Sequence, residues 1–133
     1  MKRPAHKKKL NGFGCRKPEG FIKLDHGLLG TEAWRHLSPR ACKLYIAARA
    51  RFNGMNNSYI SYSTREAREL LNCNPNSASA AFNELMDKGF LKCARDSTFT
   101  LKTKEAGLWT ITAEKIGDNP PTRDFKKWKT RLP

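Results

Sequence analysis

The side chains that could support covalent, acid–base or metal chemistry are few, and their spacing suits none of these. Histidine and cysteine occur only at His6, His26, His36, Cys15, Cys42, Cys73 and Cys93. The cysteines are widely spaced without a C-x2-C pair, and the adjacent side chains of Asp25 and His26 point in different directions. The P-loop, G-x-S-x-G, H-E-x-x-H and zinc-deaminase motifs are absent as well. We therefore expect no enzyme activity, no metal ion and no cofactor, and we expect buried or half-buried cysteines.

Hydrogen-bonding side chains at helical spacing occur instead in residues 74–87, whose sequence is NPNSASAAFNELMD. Asn74 can cap the N-terminus of a helix, and Pro75 can take its first position. Apolar residues recur at the i, i+3 and i+4 positions, which predicts a buried stripe made of Ala78, Ala81, Phe82, Leu85 and Met86. The residues left for the outer face, with Ser77 on its shoulder, are Asn76, Ser77, Ser79, Ala80 and Asn83.

Short side chains of this kind would let a helix approach DNA closely. Asn can pair with the N6 and N7 atoms of adenine, and Ala can contact the methyl group of thymine. Free backbone N–H groups at Asn76 and Ser77 would face a phosphate. Because Glu84 and Asp87 are acidic, either only the first two turns would enter a groove or these acids would face away. The alternative is an ordinary polar face exposed to water.

The net charge of +14 is concentrated at the two ends of the chain. Residues 1–23 contain eight Lys and Arg residues and one acid, and residues 115–133 contain six and two. Residues 24–114 contain twelve and nine, so the middle of the chain is nearly balanced. Basic arms on a balanced domain suit a polyanion, which points to DNA or RNA more than to an anionic membrane. The alternative is that the arms only keep the protein in solution.

The composition of the chain also predicts its domain boundaries and its location in the cell. No apolar run is long enough to span a membrane, and the N-terminus lacks the apolar stretch of a signal peptide. We expect a cytoplasmic protein of a bacterial cell, associated with the nucleoid. The expected division is a disordered basic arm at 1–20, one folded domain at 21–114, and a basic extension with prolines and aromatic residues at 115–133.

Caps and periodicity predict the elements that would position these residues. Ser38 and Pro39 open a helix that ends at Asn53-Gly54, and its buried stripe is Ala41, Leu44, Tyr45, Ala48 and Phe52. A shorter helix begins at Thr31, the segment SYISYS predicts a short strand, and Ser63 with Glu66 forms a capping box for the next helix. After the helix of residues 75–87, FLKCAR predicts a strand, residues 102–107 a polar loop, and residues 108–113 a second strand.

This order of elements resembles the winged helix-turn-helix domains of plasmid and phage replication and regulatory proteins. The resembling segments are LSPRACKLY, ISYSTREARELL, NCNPNSASAAFNELMDKGFL and GLWTIT, within residues 24–114. The resemblance implies an α+β, mainly helical fold whose second paired helix lies in the major groove of double-stranded DNA. It also implies sequence-specific binding, in the replication or the transcriptional control of a phage or mobile element.

Basic residues around this helix are the expected phosphate contacts. Within the domain, the hairpin supplies Lys92, Arg95, Lys102 and Lys104, and the supporting helix supplies Arg65 and Arg68. The basic arms add Lys2, Arg3, Lys7, Lys8, Lys9, Lys126, Lys127, Lys129 and Arg131. Phe125 and Trp128 are interleaved with the C-terminal cations, so they would either bind nucleic acid or dock on the domain.

Other functions and assemblies stay open at the level of the sequence. RNA binding, as in basic ribosome-associated proteins, is the main alternative, because basic tails on a small core also suit structured RNA. A winged helix can serve as a protein-interaction module instead. A homodimer is compatible with the paired half-sites that helix-turn-helix proteins often read.

Overall fold

The computed structural model describes residues 20–95, 98–99, 104–105 and 107–130. In chain order these residues form α1 (His26–Leu29), α2 (Glu32–Arg35), α3 (Pro39–Ala50), β1 (Ile60–Ser61), α4 (Thr64–Leu71), α5 (Pro75–Asp87), β2 (Leu91–Arg95), β3 (Thr98–Phe99), β4 (Lys104–Glu105), β5 (Leu108–Ile111) and a 3-10 turn (Asp124–Lys127). The predicted α+β, mainly helical fold is confirmed, and its arrangement is consistent with a winged helix. Of the predicted disordered arm, residues 1–19 lie outside the described residues.

The helix α3 begins where its caps predict. The Ser38 hydroxyl accepts a hydrogen bond from the Ala41 N–H at 3.2 Å, and Pro39 occupies the first turn. The predicted stripe is buried from Ala41 to Ala48, and Phe52 is half-buried beyond the helix. The helix ends at Ala50, three residues before the predicted stop. The backbone N–H of Arg51 donates to the Ala48 carbonyl at 3.1 Å and that of Phe52 to the Arg49 carbonyl at 3.0 Å, so the last turn closes with i→i−3 bonds.

The pair formed by α4 and α5 also follows local signals. Ser63 and Glu66 form the predicted capping box, in which each backbone N–H donates to the other's side chain at 3.0 Å. Asn72 ends α4 in the left-handed region at φ +52°, a conformation that Asn tolerates better than most residues. The Asn74 side chain then caps α5 by accepting from the Ser77 N–H at 2.8 Å. Only residues 72–74 therefore separate two helices that pack together.

The described strands form one sheet of three strands and one of two. The first is antiparallel in the order β1-β5-β2, so the last strand lies between the other two. A bulge between Cys93 and Arg95 interrupts the pairing of β2 with β5. The second sheet pairs β3 with β4 farther along the same hairpin. The predicted polar loop at residues 102–107 is therefore wrong at Lys104–Glu105, because these residues pair with β3 across the hairpin.

The core lies between α3, α5 and the three-stranded sheet. Its largest fully buried side chains are Tyr45, Phe90, Phe125, Leu44, Ile60, Leu85, Leu91 and Ile111. Aromatic contacts join its parts, since Phe90 meets the rings of Trp34, Tyr45 and Phe125 at centroid distances of 5.1–5.8 Å. Each fully buried side chain of this size stabilises the fold by about 1.5–3 kcal/mol relative to an exposed one.

The outer side of β5 is covered as well, which the alternation of its residues does not predict. Thr110 in β5 and Thr112 directly after it are buried, although they alternate with Trp109 and Ile111. On this side the Ser58 hydroxyl lies 2.8 Å from the Thr110 hydroxyl. The preceding residue, Asn57, is buried, and its amide nitrogen donates to the backbone carbonyls of residues 111, 114 and 115 at 3.0–3.1 Å. Its amide oxygen accepts from the Ile111 N–H at 2.7 Å. One buried side chain thus joins the loop before β1 to the end of β5.

The cysteines only partly follow the prediction. Cys42 and Cys73 are half-buried as predicted, and Cys15 lies outside the described residues. Cys93 is exposed, so the prediction is wrong for this residue. Its strand β2 is at the edge of the sheet, and its side chain borders an open cleft instead of the core.

The Arg51–Glu66 pair makes the stability of this corner dependent on pH. The hydrogen bond from the Arg51 guanidinium, 2.9 Å long, lowers the pKa of Glu66 below its ordinary value of 4.5. Partial burial opposes this shift, and the Ser63 backbone N–H reinforces it. Because the folded pKa is the lower one, the ionised carboxylate stabilises the fold above the unfolded pKa, and this stabilisation is lost as pH falls through the folded pKa.

We therefore expect Glu66→Gln to lower the urea midpoint most near neutral pH, and the difference from wild type to shrink as the solution is acidified. Urea unfolding at a series of pH values measures this difference. The matched control is Glu69→Gln, because the Glu69 carboxylate is largely exposed and 4.0 Å from Arg65. A constant difference for Glu66→Gln across the whole acidic range would contradict the expectation.

Candidate nucleic-acid interface

The outer face of α5 carries the short side chains that the helical periodicity predicts. Ala78, Ala81, Phe82 and Leu85 are buried against the core, as expected from their spacing. The exposed residues of the same helix include Asn76, Ser79, Ala80 and Asn83, and Ser77 is half-buried at the shoulder. The structure thus brings all five predicted residues to one face, with no Lys or Arg among them.

The start of α5 differs from the prediction in one respect. The sequence predicts a Ser77 N–H that is free for a phosphate, but this group donates to the Asn74 side chain at 2.8 Å. The prediction is therefore wrong for Ser77, because the cap that starts the helix uses this donor. The polar side chains of the outer face, and not this N–H group, are what the helix offers to a ligand.

The acidic residue Glu84 is held away from the outer face of α5. Its carboxylate accepts hydrogen bonds from the backbone N–H of Ser38 at 2.6 Å and from the Ser38 hydroxyl at 2.8 Å. Lys88 lies 3.9 Å from the same carboxylate. Glu84 thus joins α5 to the N-terminus of α3, where a negative charge is favourable. Asp87 is exposed in the last turn, beyond the predicted contact residues.

A cleft of about 170 Å³ separates α5 from the hairpin. Its apolar side contains the rings of Phe82 and Trp109, which stack with centroids 4.6 Å apart and planes 1° from parallel. The Trp109 indole N–H donates to the Tyr62 carbonyl at 3.0 Å, which fixes the ring. Polar groups from α4 and α5 also border the cleft, namely Thr64, Ser79 and Asn83.

Thr64 and Trp109 are residues of this cleft that sequence reasoning does not single out. They are 45 positions apart in the chain, and the pairing of β1 with β5 brings them to the same side of the domain. The available signal for Thr64 is its position directly after the cap of α4. Trp109 has no local signal, because an aromatic residue in a strand is usually part of the core.

The predicted cations of α4 lie on the surface. The side chain of Arg65 is 85% exposed, and its Nε is 4.0 Å from a Glu69 carboxylate oxygen. Such an exposed pair contributes little to stability and leaves Arg65 accessible. Arg68 is exposed in the last turn of the same helix.

Two of the predicted cations of the hairpin, Lys92 and Arg95, lie on its first strand as expected, whereas Lys104 does not lie in a loop. Lys92 is exposed, and its ammonium group is 3.2 Å from the Asp124 carboxylate of the C-terminal extension. Arg95 is at the end of β2, and Lys104 is in β4 and not in a loop. Lys102 lies outside the described residues. The contacts of these four residues with phosphate stay predictions.

The C-terminal extension packs on the domain with its aromatic residues. Phe125 is only 2% exposed and stacks on Phe90, and Trp128 is half-buried beside His36. Lys126, Lys127 and Lys129 are exposed on this extension. The remaining predicted arm residues lie outside the described residues, namely Lys2, Arg3, Lys7, Lys8, Lys9 and Arg131.

The described residues also bear on other kinds of site. Among them, no three His, Cys, Asp or Glu side chains are close enough together to hold a metal ion. In the same part of the chain, no helix has the length and apolar character needed to cross a membrane.

Comparison with known proteins gives a structural likeness. No family model and no curated protein matches the sequence. A solved structure described as "N-Terminal domain of DNA binding protein" is similar in fold, with a TM-score of 0.51 and 19% sequence identity. The similarity covers 82% of this chain and 83% of that one. At this identity it concerns the arrangement of the elements, which is shared over most of both chains.

Proposed function

We propose that this protein is a winged-helix protein that binds double-stranded DNA in a sequence-dependent manner, without catalysis or cofactor. The observation that carries the proposal is the outer face of α5, where short polar side chains and one alanine project from the second helix of a closely packed pair. The strand order β1-β5-β2 beside this pair and the DNA-binding protein of similar fold also support it.

In this proposal the part of α5 from Asn76 to Asn83 enters the major groove. Asn76 and Asn83 have amide groups that can pair with adenine, and Ala80 between them can contact a thymine methyl group. Because none of these side chains is long, the helix backbone can approach the bases closely. Glu84 does not oppose this approach, since its carboxylate is bound to Ser38 away from the outer face.

Affinity then comes mainly from cations outside the helix. Arg65 and Arg68 are exposed on the supporting helix α4, which packs against α5, and the basic N-terminal residues add charge that can follow the phosphates. Phosphate contacts position the protein, and the side chains of α5 select the sequence. A role in replication initiation or transcriptional control of a phage or mobile element fits such binding, as does a location at the bacterial nucleoid.

The experiment that tests the proposal is selection of bound sequences from a random duplex pool. We expect an enriched motif for the wild-type protein, and a palindromic motif would show that two copies bind together. The variant Asn76→Ala/Asn83→Ala should alter the enriched motif and leave the dependence of affinity on salt unchanged, because it removes no charge. The matched control Asn119→Ala, an exposed amide outside α5, should reproduce the wild-type motif.

Two outcomes would overturn the proposal. One is the absence of any enriched motif for a folded wild-type protein. The other is a preference of about tenfold or more for structured RNA over duplex DNA in direct competition at the same salt concentration, which would favour the RNA-binding alternative.

A further inference from the structure

The C-terminal segment, defined as residues 122–130, is held on the domain at several points. The Phe125 ring stacks on Phe90 with centroids 5.1 Å apart and planes 5° from parallel. The Arg123 N–H donates to the Thr112 carbonyl at 2.9 Å, and the Thr130 N–H donates to the Glu32 carboxylate at 2.6 Å. Because both ends and the middle of the segment contact the domain, the segment has a defined position on the domain surface.

The same segment touches the end of α5 and the start of β2. Gly89 has a φ of +86°, and a Cβ at this position would lie 2.7 Å from the backbone carbon of Asp124. The Lys88 ammonium group is 4.9 Å from the centre of the Trp128 ring. Only glycine fits at position 89. Because Gly89 lies two residues after the end of α5, the C-terminal segment docks directly beyond the helix that carries the polar outer face.

The segment presents positive charge outward. Lys126, Lys127 and Lys129 are exposed, whereas the acidic Asp124 is 3.2 Å from the ammonium group of Lys92. A cleft of about 580 Å³ borders this surface and is lined by side chains that include Lys88, Lys92 and Lys127. The aromatic residues of the segment are turned inward. Its outward charges are three ammonium groups and the exposed Arg123 guanidinium, and the cleft beside it also contains the carboxylates of Asp87 and Asp124.

This basic surface adjoins the outer face of α5. Met86 lines both the cleft beside Ser79 and Asn83 and the cleft beside Lys88 and Lys127. The distance along the helix from Asn76 to Lys88 is about 18 Å at ~1.5 Å per residue. Because the C-terminal segment docks where α5 ends, a duplex on the face of α5 would have the C-terminal cations beside one end of its contact.

We infer that the C-terminal segment is a second, preorganised contact surface for the phosphates of the duplex that α5 binds, an inference that rests on the proposed function. The partner is the phosphodiester backbone, since ammonium groups on a rigid surface match a row of fixed negative charges. Cations held in place lose less conformational entropy on binding than those of a flexible arm, so each contact retains more of its interaction energy.

The test compares two triple variants of the full chain that remove the same number of charges. Lys126→Gln/Lys127→Gln/Lys129→Gln removes the proposed contacts. The control, Arg40→Gln/Lys43→Gln/Lys115→Gln, removes three exposed cations that have no proposed phosphate contact. Fluorescence anisotropy with a labelled duplex of about 25 base pairs, over a series of KCl concentrations, gives the slope of log affinity against log salt.

We expect the C-terminal triple variant to lower the magnitude of this slope by about 2–3, at about 0.9 for each phosphate that the protein no longer neutralises. The control should lower it by less than about 1. A C-terminal variant whose slope changes no more than that of the control would overturn the inference. Wild-type protein that fails to bind the duplex at low salt would instead overturn the proposed function itself.

A second variant tests the role of docking separately from charge. Phe125→Ala keeps every cation but removes the main apolar anchor, and circular dichroism checks that it folds. We expect it to bind the duplex about 3–10-fold more weakly than wild type, because the cations then pay the ordering entropy on binding. If it does not fold, Trp128→Ala replaces it, because that ring is only half-buried. If the folded variant binds the duplex as tightly as the wild-type protein, docking of the segment does not contribute to affinity and the surface is not preorganised.

Discussion

Replacing Asn57 by Ala should lower the free energy of unfolding by about 3–5 kcal/mol. The side chain is 4% exposed, and its amide nitrogen donates to three backbone carbonyls while its oxygen accepts from two backbone N–H groups. Truncation leaves several of these buried groups without partners, and each costs about 1–3 kcal/mol. Urea unfolding should show a lower midpoint with an unchanged slope m.

Two further variants separate the causes of this destabilisation. Asn57→Asp keeps the shape and the accepting oxygen but replaces the donor by a carboxylate beside three carbonyls, so it should also destabilise. Asn76→Ala removes an exposed amide and should change stability by less than about 0.5 kcal/mol. Wild-type stability in Asn57→Ala would contradict the assignment of Asn57 as the group that joins its loop to β5.

Placing Glu at position 80 should weaken binding to duplex DNA by about 100-fold or more. Ala80 is exposed in the middle of the outer face of α5, between residues proposed to reach the bases. A carboxylate there would be forced against the negatively charged duplex, and its length would prevent close approach of the helix. A like charge placed in an interface costs several kcal/mol, and about 2.8 kcal/mol corresponds to ~100-fold in affinity.

Stability should hardly change in Ala80→Glu, because the site is exposed and Glu is a good helix former. The matched control is Met55→Glu, which adds the same charge to a residue that is 90% exposed in the loop between α3 and β1. It should weaken binding by less than about threefold, through the change in net charge alone. Affinity is measured by anisotropy at one salt concentration. If the two variants weaken binding equally, α5 is not part of the DNA interface.

The sequence by itself is enough to predict the helices α2 to α5 and the exposed face of α5, but not the short helix α1. Ser38, Ser63 and Asn74 mark helix starts because their side chains bond to the backbone within three residues. The apolar stripe that begins at Ala78 and Ala81 determines which residues of α5 face outward, because the helix has only one such stripe. These features depend on residues that are neighbours in the chain, so local sequence patterns are enough to predict them.

Tertiary structure alone decides how the remaining polar and aromatic residues are used. From the sequence alone, the negative charge of Glu84 is expected to oppose entry of the helix into a DNA groove. In the structure its carboxylate accepts hydrogen bonds from Ser38, 46 positions away in the chain. Asn57 and Trp109 acquire their roles from β5, and Lys104 enters a strand through a partner across the hairpin.

The C-terminal residues illustrate the same limit. Their composition allows either a free basic-aromatic arm or a docked one, and the space beside Gly89 and Phe90 places Phe125 in the core. Contacts between distant positions depend on how the elements pack, and neither periodicity nor capping contains that information. The sequence therefore determines which face of α5 is available, and only the packing of the whole chain decides which charges lie beside it.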